Sequence, residues 1–282
     1  MKVLPFEIPK PTKDALIYQE DHELVFYDKL HQHQEIQLSY LVEGEGTLVV
    51  GDTVNQYKKG DVLVIGSNLP HVFKSEVNAN KKSLMLTLFF TREGFGKHFF
   101  DLEELHSLSS FFRHAENGFK VHSDTETIGA LFTNLKRVGK LKRFTTFLEI
   151  LSLLTKAKKT ELSSFVYEKK FSANEGKRMQ DVISYTMNHY QKQINLEEVA
   201  YVANMTKNAF CKYFKKRTNK TYFRFLNELR VENASKLLLS NNDLSIAEIA
   251  DKSGFNNISN FNRQFKSVKS IVPSDYRKTK AI

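Results

Sequence analysis

Cysteine is almost missing from this 282-residue chain. Its one representative, Cys211, cannot form an intramolecular disulfide, and no cysteine cluster offers a structural zinc site. Long apolar runs are missing as well: the stretch Leu84 to Phe90 is far too short to span a bilayer. Residues Met1 to Pro11 carry prolines and an acid where a signal peptide needs an unbroken apolar stretch. No tract has a disorder-like composition, since hydrophobic residues make up 41% and charged residues 26% of the chain, so a globular protein is expected throughout. These absences predict a soluble, cytoplasmic chain with no membrane partner, and the length predicts two domains rather than one.

What the chain has in excess is positive charge, unevenly placed. Residues 1–173 hold 23 Lys and Arg against 22 Asp and Glu, a balance of +1, whereas residues 174–282 hold 19 against 10, a balance of +9. A basic domain attached to a neutral one points to a polyanion, because cationic side chains that neutralise phosphates release condensed counterions. Charge alone leaves open a merely solubilising surface.

From about Asp14 to Phe90 the pattern is one of short strands and frequent turns. Ile36, Leu38, Tyr40 and Val42 alternate with Gln37, Ser39 and Leu41, and Gly44-Glu45-Gly46 turns the chain into Thr47 to Val50. Gly51-Asp52 turns it again, and Val62 to Ile65 and Leu84 to Phe90 continue the series, which predicts a small barrel or sandwich. Near Asp124 the period changes. Ile128, Leu131, Phe132, Leu135 and Val138, then Phe144, Phe147, Leu148, Leu151 and Leu154, recur at helical spacing. Two amphipathic helices over 124–155 are expected, their apolar stripes covered either by the barrel or by a second subunit. The polar stretch that follows predicts a linker over 161–173, which divides an α+β chain into residues 1–160 and an all-helical domain of residues 174–282.

The second domain contains an internal repeat. Leu196-Glu197-Glu198-Val199-Ala200, Asn204-Met205-Thr206 and Phe210 to Lys215 return about fifty positions later as Ile246-Ala247-Glu248-Ile249-Ala250, Gly254-Phe255-Asn256 and Phe261 to Lys266. Each copy reads as a short helix centred on alanine, a turn at a residue that tolerates positive φ, and a second helix. Ala200 and Ala250 allow close approach, Thr206 and Asn257 sit at N-cap positions, and Phe210, Phe214, Phe261 and Phe265 form the buried side at i, i+4 spacing. The opposite face of the second helix carries Lys207, Asn208, Cys211, Lys212 and Lys215 in the first copy, and Ile258, Ser259, Asn262, Arg263 and Lys266 in the other. Amide and guanidinium forks match base edges in the major groove, and terminal lysines suit phosphates. The pattern is that of two helix-turn-helix units for double-stranded DNA.

The stretch Ser245 to Ala250 with Gly254-Phe255, Ser259, Phe261, Arg263, Phe265-Lys266, Pro273-Ser274 and Tyr276-Arg277 resembles the signature of the AraC-type bacterial transcription regulators. Arg230, Ala234, Leu237 and Leu238 fall where that family has the helix joining its two units. The resemblance implies that each second helix enters one of two adjacent major-groove segments, with base contact by Asn208, Cys211 and Lys212, then Ile258, Ser259, Asn262 and Arg263. A homodimer is the expected state, since tethering two DNA-binding domains raises affinity, and RNA polymerase is a further expected partner. Asn204, Asn219 and Ser270 stand where the family usually has glycine; serine tolerates left-handed geometry poorly, so the last turn is expected to be rearranged.

In the first domain, His31-x-His33-x3-Gln37 and the later Gly60-Asp61, Gly66, Pro70 and His71 resemble the two motifs of the cupin barrel. On a regular strand His31, His33, Glu35 and Gln37 would share a face. Three readings of these residues stand side by side. A metal-dependent enzyme needs an anionic ligand where Gln37 offers a neutral amide, unless Glu35 substitutes; structural histidines need no ligand at all; and a small-molecule pocket would use the polar interior for a sugar-like effector. The sensor reading, with no catalytic residue, metal or cofactor and with His31, His33, Glu35, Gln37 and His71 contacting an effector, is the one adopted, against a barrel that only dimerises.

Overall fold

The computed structural model describes residues 14–76, 82–164, 172–240 and 243–279. They form two compact units that divide chiefly between Gly176 and Lys177, with residues 52–54 grouping with the second. The first contains β1 (Leu16–Glu23), β2 (Ile36–Glu43), β3 (Gly46–Val50), β4 (Thr53–Tyr57), β5 (Val62–Ile65), β6 (His71–Ser75), β7 (Ser83–Phe90), α1 (Ser109–Ala115), β8 (Phe119–Val121), α2 (Thr125–Asn134), α3 (Lys140–Lys156) and β9 (Lys159–Glu161).

The strands make a six-stranded sheet in the order β1-β7-β2-β5-β8-β9 and a three-stranded sheet, β4-β3-β6. In place of one closed barrel, the described residues give two sheets with a core between them. The period-two alternation explains why the central strands are apolar on both sides. Ile36, Leu38, Val62, Val64, Leu86, Leu88 and Phe90 face the helices, while Leu41, Leu63, Ile65 and Met85 meet Leu48, Val50 and Phe73 of the small sheet.

The helical spacing over 124–155 corresponds to α2 and α3, separated by a 3-10 turn at Leu135–Arg137. Of the two expected covers for their stripes, the sheet is the one found: Ile128, Phe132, Phe147, Ile150, Leu151 and Leu154 are fully buried within the first unit. Gly129 is required there, because a Cβ would lie 2.5 Å from the Tyr40 ring on which α2 rests. Leu148 is only partly covered and Leu141 is 78% exposed. Of the stretch expected to link the domains, Glu161 still pairs in β9 and Leu162 is buried in the inter-sheet core, while residues 165–171 lie outside the described residues.

The second unit consists of α4 (Ala173–His189), α5 (Leu196–Val202), α6 (Lys207–Thr218), α7 (Tyr222–Ser240), α8 (Ile246–Lys252), α9 (Ile258–Lys269) and α10 (Pro273–Lys278). Helix α7 serves both halves of the repeat. Phe225 at its start meets Phe214 with ring centroids 5.8 Å apart, and Val231, Ala234 and Leu238 beyond it pack with Ile249, Ala250, Phe255, Phe261 and Phe265. Each such phenylalanine contributes roughly 2 kcal/mol on burial. The Tyr222 hydroxyl, which burial pushes up to about 12, shares a 3.0 Å hydrogen bond with Thr186 of α4.

Candidate functional site

The two repeat copies are built to one geometry. Helices α5 and α8 each span 7 residues and begin with a capping box, Asn195 with Glu198 and Ser245 with Glu248. Each ends on a left-handed residue, Asn204 at φ 50° and Gly254 at φ 87°. The same closing bond follows: Met205 N–H donates to Ala200 O and Phe255 N–H to Ala250 O, both at 2.9 Å. The second helices, α6 and α9, each span 12 residues and are capped by the side chains expected from sequence, Thr206 and Asn257. Both stop at another left-handed residue, Asn219 at φ 53° and Ser270 at φ 61°. The last turn is therefore not rearranged. Ser270 takes the glycine-like conformation and donates its N–H to Lys266 O at 2.9 Å, as Asn219 does to Lys215 O.

Phe210, Phe214, Phe261 and Phe265 are fully buried. Lys207, Asn208, Cys211, Lys212 and Lys215 of α6 and Ile258, Ser259, Asn262, Arg263 and Lys266 of α9 are all exposed, so each second helix turns an aromatic side inward and a polar side outward. Two of these cations already have partners. Lys207 pairs with Glu197 of α5, whose carboxylate raises the ammonium's affinity for its proton, and Arg263 donates to Asn260 Oδ1 at 2.9 Å.

The first unit holds a second concentration of polar groups, in a cavity of about 150 Å³ whose lining includes His31, His33, Gln37, His71, Asp21 and Glu23. His31 and His33 precede β2, so they do not share a regular strand face with Gln37. An isolated backbone bridge brings His31 to His71 of β6: each N–H donates to the other's carbonyl, at 3.0 and 2.9 Å. The imidazole rings of His31 and His71 then lie 4.3 Å apart, and those of His33 and His71 5.0 Å apart. Glu35 is the exception to the expected set. It does not line the cavity, because the chain carries it behind His33, where its backbone carbonyl accepts from His33 Nδ1 at 2.8 Å.

A carbonyl oxygen can only accept, which fixes the histidine tautomers. Nδ1 donates to Lys29 O in His31, to Glu35 O in His33 and to Leu69 O in His71, each at 2.8 Å. In the neutral rings of His31 and His71 the lone pair is therefore on Nε2, whereas His33 Nε2 is engaged with Gln37 Oε1. One ligand atom from each of the three histidines falls within 4.8 Å of the others, and Gln37 Oε1 is 3.1 Å from His33 Nε2. Gln37 donates its amide to Ser39 Oγ at 2.9 Å, and Ser39 meets Thr87 Oγ1 at 3.1 Å. These residues fit the three-imidazole half of a cupin metal site, with a neutral oxygen in the fourth place.

A helix-turn-helix domain model matches residues 199–279 and a cupin domain model matches residues 25–87. The chain thus carries an AraC-type helix-turn-helix domain after an N-terminal cupin domain, and its relatives are HTH-type transcriptional regulators. An uncharacterized HTH-type transcriptional regulator of Bacillus subtilis, YdeC, is 24% identical over 260 residues, which cover 89% of this chain and 87% of that one. Another, from the cgkA 5' region of Pseudoalteromonas carrageenovora, is 34% identical over 101 residues, covering 36% of this regulator and 59% of the relative. Among solved structures, the DNA-binding domain of AdpA in complex with a target DNA is similar at 26% identity and a TM-score of 0.33, covering 35% of this regulator and 87% of that chain. Among the described residues, no helix of the regulator is long and apolar enough to cross a membrane.

Sequence reading missed the wall of the cavity formed by Gln19, Asp21 and Glu23 of β1. Their alternation with Tyr18, Glu20 and His22 carries no hydrophobic period, so within the expected β-region nothing marks which face of this strand turns inward. It also passed over both capping boxes, although Asn195-x-x-Glu198 and Ser245-x-x-Glu248 spell the signature.

Proposed function

We propose that this AraC-type regulator, acting in the cytoplasm, reads a specific duplex sequence with the exposed sides of α6 and α9, and that a small effector in the cupin cavity controls that reading. The observation that carries the first part is the geometric equivalence of the two helix pairs, each offering a polar outer face in the part of the chain, residues 174–282, that holds the +9 balance. Asn208, Cys211 and Lys212, with Ile258, Ser259, Asn262 and Arg263, are assigned to base edges. Lys207, Lys215 and Lys266 are assigned to phosphates.

The second part rests on the cavity, which is lined from both sheets and combines apolar walls with convergent polar groups. Gln37, His33 and the hydroxyls behind them suit a small polar or sugar-like compound. Homodimerisation, which would tether two reading units and raise affinity, and contact with RNA polymerase belong to the same proposal; ultracentrifugation tests the dimer. The relatives are named as transcriptional regulators, in keeping with a chain that binds rather than catalyses.

Affinity profiling across single-base variants of a selected duplex separates base reading from phosphate holding. Arg263→Ala and Lys212→Ala are expected to flatten preference at particular base pairs, at a cost on the order of 1–3 kcal/mol on the selected site. Lys215→Ala is expected to weaken every variant alike. Identical profiles for Arg263→Ala and Lys215→Ala would show that the reading faces are misassigned.

A further inference from the structure

We infer that the first turn of α9 reads a thymine through its C5 methyl group, and that Ile258 is the side chain that does so. This rests on the DNA-reading proposal above and names the base chemistry of one of its two reading helices. Helix α6 has no equivalent contact to offer.

A lone exposed apolar side chain needs no explanation of its own; the place of this one does. Among the described residues, Ile258 is the one large apolar side chain exposed on α6 or α9, at 46%, whereas Phe261 and Phe265 of the same helix are buried. The repeat supplies a control for its position. Lys207 and Ile258 each stand first in their helices, directly after the N-caps Thr206 and Asn257. Glu197 and Ala247 each stand second in α5 and α8. In the first copy these two positions hold an ion pair, Lys207 with Glu197. In the second they hold isoleucine and an alanine, both exposed. An ion pair in water is thus replaced by two apolar side chains that the fold does not bury, so their burial can come only from a partner.

The partner that fits is the floor of a major groove. Reading helices of this kind place their N-terminal residues on base edges, and Ile258 is the N-terminal residue of α9. The backbone at this end is not left for a phosphate, because Asn257 Oδ1 already accepts from the Ser259 and Asn260 N–H groups at 2.8 and 3.1 Å. Binding by the first turn therefore falls to its side chains. Ser259, Asn262, Arg263 and Lys266, all exposed, surround Ile258 with hydroxyl, amide and positive charge, which a duplex satisfies and an apolar protein surface would leave unpaired. On the base edges of that groove the apolar group is the C5 methyl of thymine. Asn262 lies one turn beyond Ile258, an advance of about 6 Å along the helix, against about 3.4 Å per base step. The thymine should therefore lie within about two base pairs of the base that Asn262 reads.

The test uses the full chain and a duplex it has selected from a random library, with each thymine replaced in turn by deoxyuridine, which removes the methyl group alone. Replacement near the position whose preference Asn262→Ala abolishes should weaken binding about fourfold, the worth of one buried methyl. Ile258→Ala should weaken binding of the parent duplex to a similar extent and abolish the difference between thymine and uracil there. Ile258 is exposed, so that variant should fold, and Ile258→Val, which keeps a branched apolar side chain, should preserve the difference. Changing the same T·A pair to C·G should cost more, and 5-methylcytosine in place of that cytosine should recover about fourfold. Thymine and uracil bound alike at every position, or a uracil penalty unchanged in Ile258→Ala, overturns the inference. If Arg263→Ala still flattens base preference in that event, the DNA-reading proposal stands without it. A folded chain that selects no duplex removes that proposal and this inference together.

Discussion

Gly254→Ala will destabilise the second unit by about 4 kcal/mol, combining left-handed strain in alanine with loss of charge-assisted hydrogen bonds. Gly254 has φ 87°, and a Cβ there would lie 2.4 Å from Tyr190 O and 2.9 Å from Arg230 Nε. Neither neighbour can yield cheaply. Arg230 donates to Tyr190 O at 2.8 Å and to Lys192 O at 2.7 Å, tying α7 to the end of α4. Shifting the turn breaks that tie and withdraws Phe255 from the core of the second repeat. For a unit of this size the thermal midpoint should fall by roughly 15–30 °C, with DNA binding lost at temperatures where the parent is folded. Ser270→Gly is the reciprocal case: relieving φ 61° at a position without that crowding should add about 1 kcal/mol. A Gly254→Ala loss below about 1 kcal/mol in thermal unfolding would show that the turn has room the structure denies it.

Lys269→Ala should cost about 3 kcal/mol at pH 7, because it leaves a buried carboxylate without its counter-charge. Glu232 of α7 is 8% exposed and accepts from Lys269 Nζ at 2.6 and 2.7 Å. Burial pushes the Glu232 carboxyl above the ordinary glutamate range even with Lys269 present, and removal of the ammonium raises it further. The sign follows from that direction. A raised carboxyl stabilises the folded chain while protonated, and this contribution is lost as pH rises from the unfolded glutamate value through the folded one. Acidification to pH 5 should therefore recover much of the Lys269→Ala loss. Replacing both partners together, Glu232→Met with Lys269→Met, should come close to the parent, since no lone charge remains. A Lys269→Ala defect that is constant between pH 5 and pH 7 would place the Glu232 carboxylate in water.

The helical half was legible because its signals are local. The repeat, the N-cap residues Thr206 and Asn257 and the i, i+4 phenylalanines each state their structure within a few positions, and all recur in α5–α6 and α8–α9. Ser270 was misjudged for an equally local reason: residue preference predicts strain, but the buried Phe265 and Pro273 on either side hold the turn in place, and tertiary packing overrides preference. The cupin half was less legible because its site depends on pairing between distant segments. Period two identified β2, β5 and β7 but could not say that His31 would pair with His71 or that Glu35 would turn away. Strand order was out of reach for the same reason, as it is set by contacts between strands and not within them.

The most direct test of the central claim is the affinity of the folded full-length protein for a selected duplex as salt is raised. Log affinity should fall linearly with log salt, by about 0.9 per phosphate neutralised. The slope should become shallower by about one phosphate in Lys215→Ala while the selected sequence is retained. Failure of the folded protein to select any duplex at low salt, or a salt slope near zero, would contradict a regulator that reads DNA through α6 and α9.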